Sequence, residues 1–306
     1  MIMTTPGLIG KITDMAIPLK NKKLFLLDMD GTIYLGNSVF EGTKDFLSYV
    51  KSMGGRYIFL TNNSSRGKDA YIAKMKRLGI DTVPGDFLSS VDATVDYLKE
   101  HHEGARLFVL GTRSLRSQLR EAGFFVADRL DIPESAKAGN GYSDMDKEGV
   151  TEAPESIDIA LLGFDTELTY DRLENFCILL SRGCRYIATH PDMVCPVEYG
   201  NAVDIGCYID MLKTSTGREP DVIIGKPEPA MAYTAMKLTG FSKDETCIVG
   251  DRLYTDIACA NNAGVDSILV LSGESTVDDI EKFGIHPTYI FDDIKAVLDE
   301  MKEVAK

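Results

Sequence analysis

The sequence is short of cysteine, of long hydrophobic runs and of positive charge. Its six cysteines, Cys177, Cys184, Cys195, Cys207, Cys247 and Cys259, contain no CxxC pair. That excludes a zinc ribbon and a thioredoxin-type motif, and free thiols in an intracellular protein are expected. Cys247 lies in an apolar run, where cysteine serves as a small buried hydrophobe. No apolar stretch approaches the about 18 residues that a membrane span needs. The first 23 residues have neither a basic leader nor an unbroken apolar segment, so they do not read as a signal peptide. A cytoplasmic location is expected. Lys and Arg number 33 against 47 Asp and Glu, a net charge of -14. A general nucleic-acid binder needs a basic face, and adsorption to an anionic membrane is equally disfavoured. A small phosphate ester is not excluded, because a pocket can be locally positive inside an acidic shell.

What is present is length and alternation. The 306 residues suit two domains at about 100–200 residues each. Short apolar runs alternate with amphipathic stretches. Residues 23–28 and 56–61 read as buried strands, 42–54 and 67–79 as helices, an order that implies a parallel sheet covered by helices. Residues 90–189 repeat that alternation as a second α/β unit. Within it, 128–157 carries eight acids against three bases and reads as a long loop or small excursion. From 221 the strand–helix order returns, with strands at 221–225, 245–250 and 266–271 and a helix at 255–263.

Four polar clusters fall at strand ends, where parallel sheets bind ligands. Asp28-Met29-Asp30-Gly31-Thr32 sets two carboxylates two residues apart, suited to a nucleophile or metal ligand plus an acid/base. An Asx-turn would use the same residues. An EF-hand does not fit, because Thr32 falls at its third ligand, loop position 5, Val39 falls at loop position 12, and a strand-like run precedes it. Thr61-Asn62-Asn63-Ser64-Ser65 offers phosphate donors or a helix cap. Gly225-Lys226-Pro227-Glu228-Pro229 holds a lysine between a strand and two prolines. Gly250-Asp251 through Thr255-Asp256 adds two carboxylates, which cap a helix or, with Asp28 and Asp30, suit Mg²⁺.

In this order the four clusters resemble the haloacid dehalogenase-like (HAD) superfamily. The strings LFLLDMDGTIYLG, LTNNSSR, IATHPD, GKPEP and GDRLYTDIACANNAG are similar to the NagD-type, para-nitrophenylphosphatase-like subfamily. The resemblance implies an α/β fold: a Rossmann-like parallel-sheet core formed by 1–88 and 197–306, with an inserted α/β cap at 89–196. It implies a Mg²⁺-dependent phosphatase of small phosphate monoesters, with a phosphomutase or an inert phosphometabolite-binding protein as alternatives. Asp28 is then the nucleophile and Asp30 the general acid/base. Thr61, Asn62 and Lys226 bind phosphate, with backbone amides around Met29 to Thr32 completing the cradle. Asp28, Asp30 through its carbonyl, Asp251 and Asp256 serve Mg²⁺.

The resemblance also assigns specificity to a cap loop containing His190, Asp192 and Met193, in which His190 otherwise reads as a surface loop residue. Asn201 to Gly206 departs from the Pro-Gly-Ala-Gly common in relatives, which leaves the start of the next helix open. The implied partner is a small phosphorylated metabolite, with no nucleic acid polymer and no membrane. Because caps in relatives often form dimer interfaces, a homodimer through the cap is implied as well.

Overall fold

Each residue of strand Leu24–Leu27 is buried, as a parallel strand covered on both faces requires. The computed structural model describes residues 10–11, 17–65, 67–138, 149–197 and 200–303. They form two compact units. The first comprises 1–61, 68–88 and 226–306, and the second 62–67 and 89–225.

The first unit holds a seven-stranded sheet. Its order is Gly10–Lys11, Tyr289–Phe291, Asp266–Val270, Thr246–Gly250, Leu24–Leu27, Arg56–Thr61, Phe87–Ser89. From Tyr289–Phe291 to Arg56–Thr61 neighbouring strands run parallel, while the Gly10–Lys11 edge is antiparallel. Alternate residues feed two cores. Phe25, Leu27, Phe59, Val249 and Ile268 pack with Phe46 and Val50 of helix Thr43–Ser52 and with Val297 and Leu298 of helix Ile294–Glu303. Leu269 and Ile290 pack with Leu253 and Ile257 in a second cluster. Because the central strands are parallel, Asp28, Thr61, Asp251 and Ser272 all emerge at one edge of this sheet.

The second unit holds a five-stranded parallel sheet ordered Val222–Ile223, Arg185–Ala188, Ile159–Leu162, Arg106–Leu110, Phe125–Ala127. Its core joins Phe108, Leu162 and Tyr186 to Phe176 and Leu179 of helix Tyr170–Ser181 and to Ile205 and Leu212 of helix Ile205–Thr216. One sequence expectation changes here, and one left open is resolved. Residues 197–225 belong to the second unit, not with 226–306. The apolar run before Lys226 pairs with Arg185–Ala188. An isolated run does not say which sheet edge it will join. Helix Ile205–Thr216 starts at a defined cap, with Asp204 accepting from its Ile205 N–H at 2.7 Å.

Where it is described, the acidic segment 128–157 is a small excursion with its own strand pair, and 139–148 lies outside the described residues. Asp128 is buried between Arg116 at 2.9 Å and Arg120 at 2.6 Å, and accepts from Val150 N–H at 3.0 Å. Strand Arg129–Leu130 pairs with Thr151–Glu152. One of the eight acids of this segment is thus paired internally with two arginines. No helix among the described residues is long and apolar enough to cross a membrane.

Candidate active site

Strand Leu24–Leu27 delivers Asp28, whose N–H still bonds Val249 O at 2.9 Å. The chain then turns sharply. Met29 O accepts from Ile33 N–H at 2.9 Å and Tyr34 N–H at 3.2 Å, and Gly31 takes φ +85°, a conformation that favours glycine. A Cβ at Gly31 would also overlap the Asp251 carboxylate. The N–H groups of Gly31 and Thr32 donate within the loop, to Tyr34 O and Met29 O. Two of the amides expected to cradle phosphate are therefore already engaged.

Asp28, Asp251 and Asp256 converge, each offering an oxygen within 4.8 Å of the others. Lys226 Nζ stands between two of them, 2.6 Å from Asp28 Oδ1 and 2.7 Å from Asp256 Oδ1. Its side chain is 5% exposed. Burial alone would lower the lysine pKa, but Asp256 and Asp28 outweigh it and hold the ammonium charged. Asp256 is nonetheless pushed up to about 6, by burial first and by Asp28, against the pull of Lys226. Both partners of this pair shift upward, the lysine because two carboxylates face its ammonium and Asp256 because burial and Asp28 outweigh the pull of Lys226. Burial, Asp28 and Asp256 push Asp251 up to about 7.

Asp256 reaches the cluster from a π-helical turn, Leu253–Ile257, in which Asp256 N–H and Ile257 N–H share Arg252 O. The sequence shows an ordinary helix there; π-turns frequently mark functional sites. Asp256 Oδ2 also accepts from Arg252 N–H at 3.2 Å, so the expected capping role and the site role coexist.

Asp251 is held by the loop after Asp266–Val270, which the sequence reading did not single out. Glu274 N–H donates to Asp251 Oδ2 at 2.8 Å, and Ser272 Oγ donates to Gly31 O at 2.7 Å. The signal was the small pair Ser272-Gly273 just past a strand end. Among the described residues, Asp251 Oδ1 is buried with no hydrogen-bond donor. A buried, donorless carboxylate oxygen facing two more carboxylates is the donor set of a hard cation, so the residues fit Mg²⁺.

A Cβ at Gly273 would overlap Asp251 Oδ2. Gly273→Ala is expected to displace that carboxylate, cost about 1–3 kcal/mol of stability and lower turnover at least about tenfold. Thermal melts with steady-state kinetics check this, and an unchanged melting temperature with unchanged kcat would contradict it.

Asp30 stands apart from the three clustered carboxylates. Its side chain is 56% exposed, with Lys74 Nζ 3.7 Å away, and that ammonium lies 3.9 Å above the Tyr34 ring. Thr61, nearly buried, shares a hydrogen bond with Tyr71 Oη at 3.3 Å.

The remaining expected residues lie in the second unit. Asn62 Nδ2 donates to Asp192 Oδ1 at 3.0 Å, and Asn62 O accepts from Ser90 Oγ at 2.6 Å. Ser64 binds Phe164 N–H and Thr189, while Asn63 forms an Asx-turn with Ser65. His190 is fully buried rather than a surface loop residue. Its Nδ1 lies 3.6 Å from Asp192 Oδ2 and its Nε2 3.8 Å from Asp204 Oδ1. Burial, with Asp192 adding to it, pushes Asp204 up to about 7. Met193 is half exposed.

Family models match two stretches of this chain: a haloacid dehalogenase-like hydrolase model over residues 25–125 and a HAD-hydrolase-like model over 223–297. An acid sugar phosphatase from Staphylococcus aureus is 31% identical over 285 residues, covering 93% of this chain and 100% of the relative. A 4-nitrophenylphosphatase structure from Thermotoga maritima matches with TM-score 0.79 and 36% identity, over 92% of this chain and 98% of that one. A glycerol phosphate phosphatase from Mycobacterium tuberculosis, solved with magnesium, matches with TM-score 0.78 and 27% identity, over 94% and 80%.

Proposed function

Since the chain belongs to the haloacid dehalogenase-like hydrolases, with phosphatases among its relatives, we propose that it is a Mg²⁺-dependent phosphatase of small phosphate monoesters working through an aspartyl-phosphate. The observation that carries this reading is the placement of Asp28. It is bonded to a buried lysine and faces Asp251 and Asp256 where the parallel strands end. The second unit, 62–67 and 89–225, is proposed as the cap. Its loop of His190, Asp192 and Met193 is proposed to meet the leaving group, with Asn62 holding Asp192. A cytoplasmic setting is proposed because all six cysteines are free thiols, as a reducing compartment keeps them.

Lys226 binds Asp28 Oδ1 and orients the carboxylate. Asp28 attacks phosphorus and the P–O bond to the alcohol breaks. Asp30, exposed enough to reach substrate, gives its proton to the leaving oxygen. It then takes a proton from the water that attacks the aspartyl-phosphate, which frees inorganic phosphate and regenerates Asp28. Thr61 Oγ1 is assigned to donate to a phosphoryl oxygen. Lys226 offsets the repulsion between the anionic nucleophile and the anionic ester. Asp28, Asp251 and Asp256, with the Asp30 carbonyl, would hold or support Mg²⁺, which when bound supplies Lewis-acid stabilisation of phosphoryl charge.

The test is a panel of sugar phosphates, glycerol phosphates, phosphoglycolate, nucleotides and para-nitrophenyl phosphate, scored for phosphate release. Release is expected from several small esters, to fall at least about tenfold after chelation, and to return with Mg²⁺. Isomer interconversion without release would mean a mutase instead, and a fully active chelated enzyme would remove the metal from the reading.

A further inference from the structure

The loop that holds Asp251 is itself gripped from the other side. Glu274 supplies the backbone N–H that fixes Asp251 Oδ2 at 2.8 Å. Its carboxylate points back to the turn between Asp251 and Asp256. There Glu274 Oε2 accepts from Arg252 Nε at 2.8 Å, and Glu274 Oε1 accepts from the Tyr254 hydroxyl. The loop closes twice more on the same turn, through Ser275 N–H to Asp251 O at 3.1 Å and Leu253 N–H to Ser275 Oγ at 3.1 Å.

We infer that Glu274 is a positioning residue for the metal: clamped by Arg252 and Tyr254, it fixes the Asp251 carboxylate with Oδ1 left open for the cation. This rests on the metal-dependent reading above. The grip is needed because Asp251 has an unfavourable environment for a lone carboxylate. It is buried, and Asp28 and Asp256 crowd it. Without a fixed donor on Oδ2, the side chain gains by rotating away from its neighbours and the ligand set is lost. The loop bears no regular secondary structure at Ser272–Thr276, and next to one backbone bond, from Ser275 N–H to Asp251 O, its hold on the turn is made by the side chains of Glu274 and Ser275. Glu274 is half exposed and touches no reacting atom, so its effect travels through Asp251. Groups that orient metal ligands in this way typically contribute about 10–100-fold to metal affinity.

The experiment titrates MgCl₂ by calorimetry into the full chain and into Glu274→Ala, Glu274→Gln and Tyr254→Phe, each first checked for folding by circular dichroism. Glu274→Ala is expected to bind Mg²⁺ about 10–100-fold more weakly. Its kcat should recover toward wild type at saturating Mg²⁺, with the substrate KM little changed. Glu274→Gln keeps an oxygen for Arg252 and an amide for the Tyr254 hydroxyl, and should stay within about threefold of wild type. Tyr254→Phe alters only an exposed hydroxyl and should fall between them, which keeps the test valid if Glu274→Ala does not fold. Wild-type affinity in Glu274→Ala or in Tyr254→Phe, or equal loss in the Ala and Gln variants, overturns the inference. A wild-type chain that binds no Mg²⁺ instead overturns the underlying functional reading.

Discussion

Asp28→Asn is expected to lower para-nitrophenyl phosphate hydrolysis by about four orders of magnitude or more, the scale on which loss of a catalytic nucleophile is felt. The reason is chemical. The amide has the shape of the carboxylate, but it is neutral and a poor nucleophile toward phosphorus. Its oxygen can still accept from Lys226, as Asp28 Oδ1 does at 2.6 Å. The fold should not suffer. Asp28 is one of the charges that push Asp251 and Asp256 upward, so removing it relieves crowding among three carboxylates. The variant should therefore melt no lower than wild type while turnover disappears. A purified, folded Asp28→Asn enzyme that keeps more than about one hundredth of wild-type turnover would sink the nucleophile assignment.

Lys226→Met is expected to damage both stability and rate. The ammonium is buried between Asp28 and Asp256, and methionine fills similar volume without charge. Removing one partner of a buried ion pair leaves the other uncompensated, at a cost of about 3–5 kcal/mol. Here two carboxylates lose their counter-charge at once, with Asp251 beside them. The loss should be largest under chelation and smaller with saturating Mg²⁺, which would replace part of the missing charge. Denaturant midpoints with and without Mg²⁺ measure that difference. Turnover should also fall about 10²–10³-fold, because a fixed cation next to developing phosphoryl charge acts as an oxyanion-hole donor does. If the variant is as stable as wild type under chelation and its kcat stays within about tenfold, Lys226 has no such role.

Much of this site was readable from the chain. Asp28, Lys226 and Asp251, which the structure brings together with Asp256, each stand just past an apolar run and each carry a charge suited to phosphate or a cation, and Asp256 follows five residues after Asp251. Strand ends in parallel sheets converge, so residues at such ends could be grouped before any contact was known. The supporting groups were not visible in this way. Glu274 acts through its backbone N–H, and Gly273 through having no side chain. Neither property marks a residue type in a sequence. His190 read as a loop residue because nothing local distinguishes an exposed imidazole from one enclosed by Asp192 and Asp204.

The α/β class, the strands and helices on which Asp28, Lys226 and Asp251 sit, and the residue types at their ends are therefore written in the chain. Those follow from hydrophobic periodicity and turn chemistry, which are local. Folding settled what rested on a choice between distant partners. It placed Val222–Ile223 beside Arg185–Ala188, so that 197–225 joined the second unit. It turned Asp128 inward onto Arg116 and Arg120. It also set Asp28, Asp251 and Asp256 within 4.8 Å of one another around a shared lysine while leaving Asp30 outside. In each case the deciding energy is a long-range one, from a sheet edge, a buried charge or a shared counter-ion, and it exists only once the chain has folded.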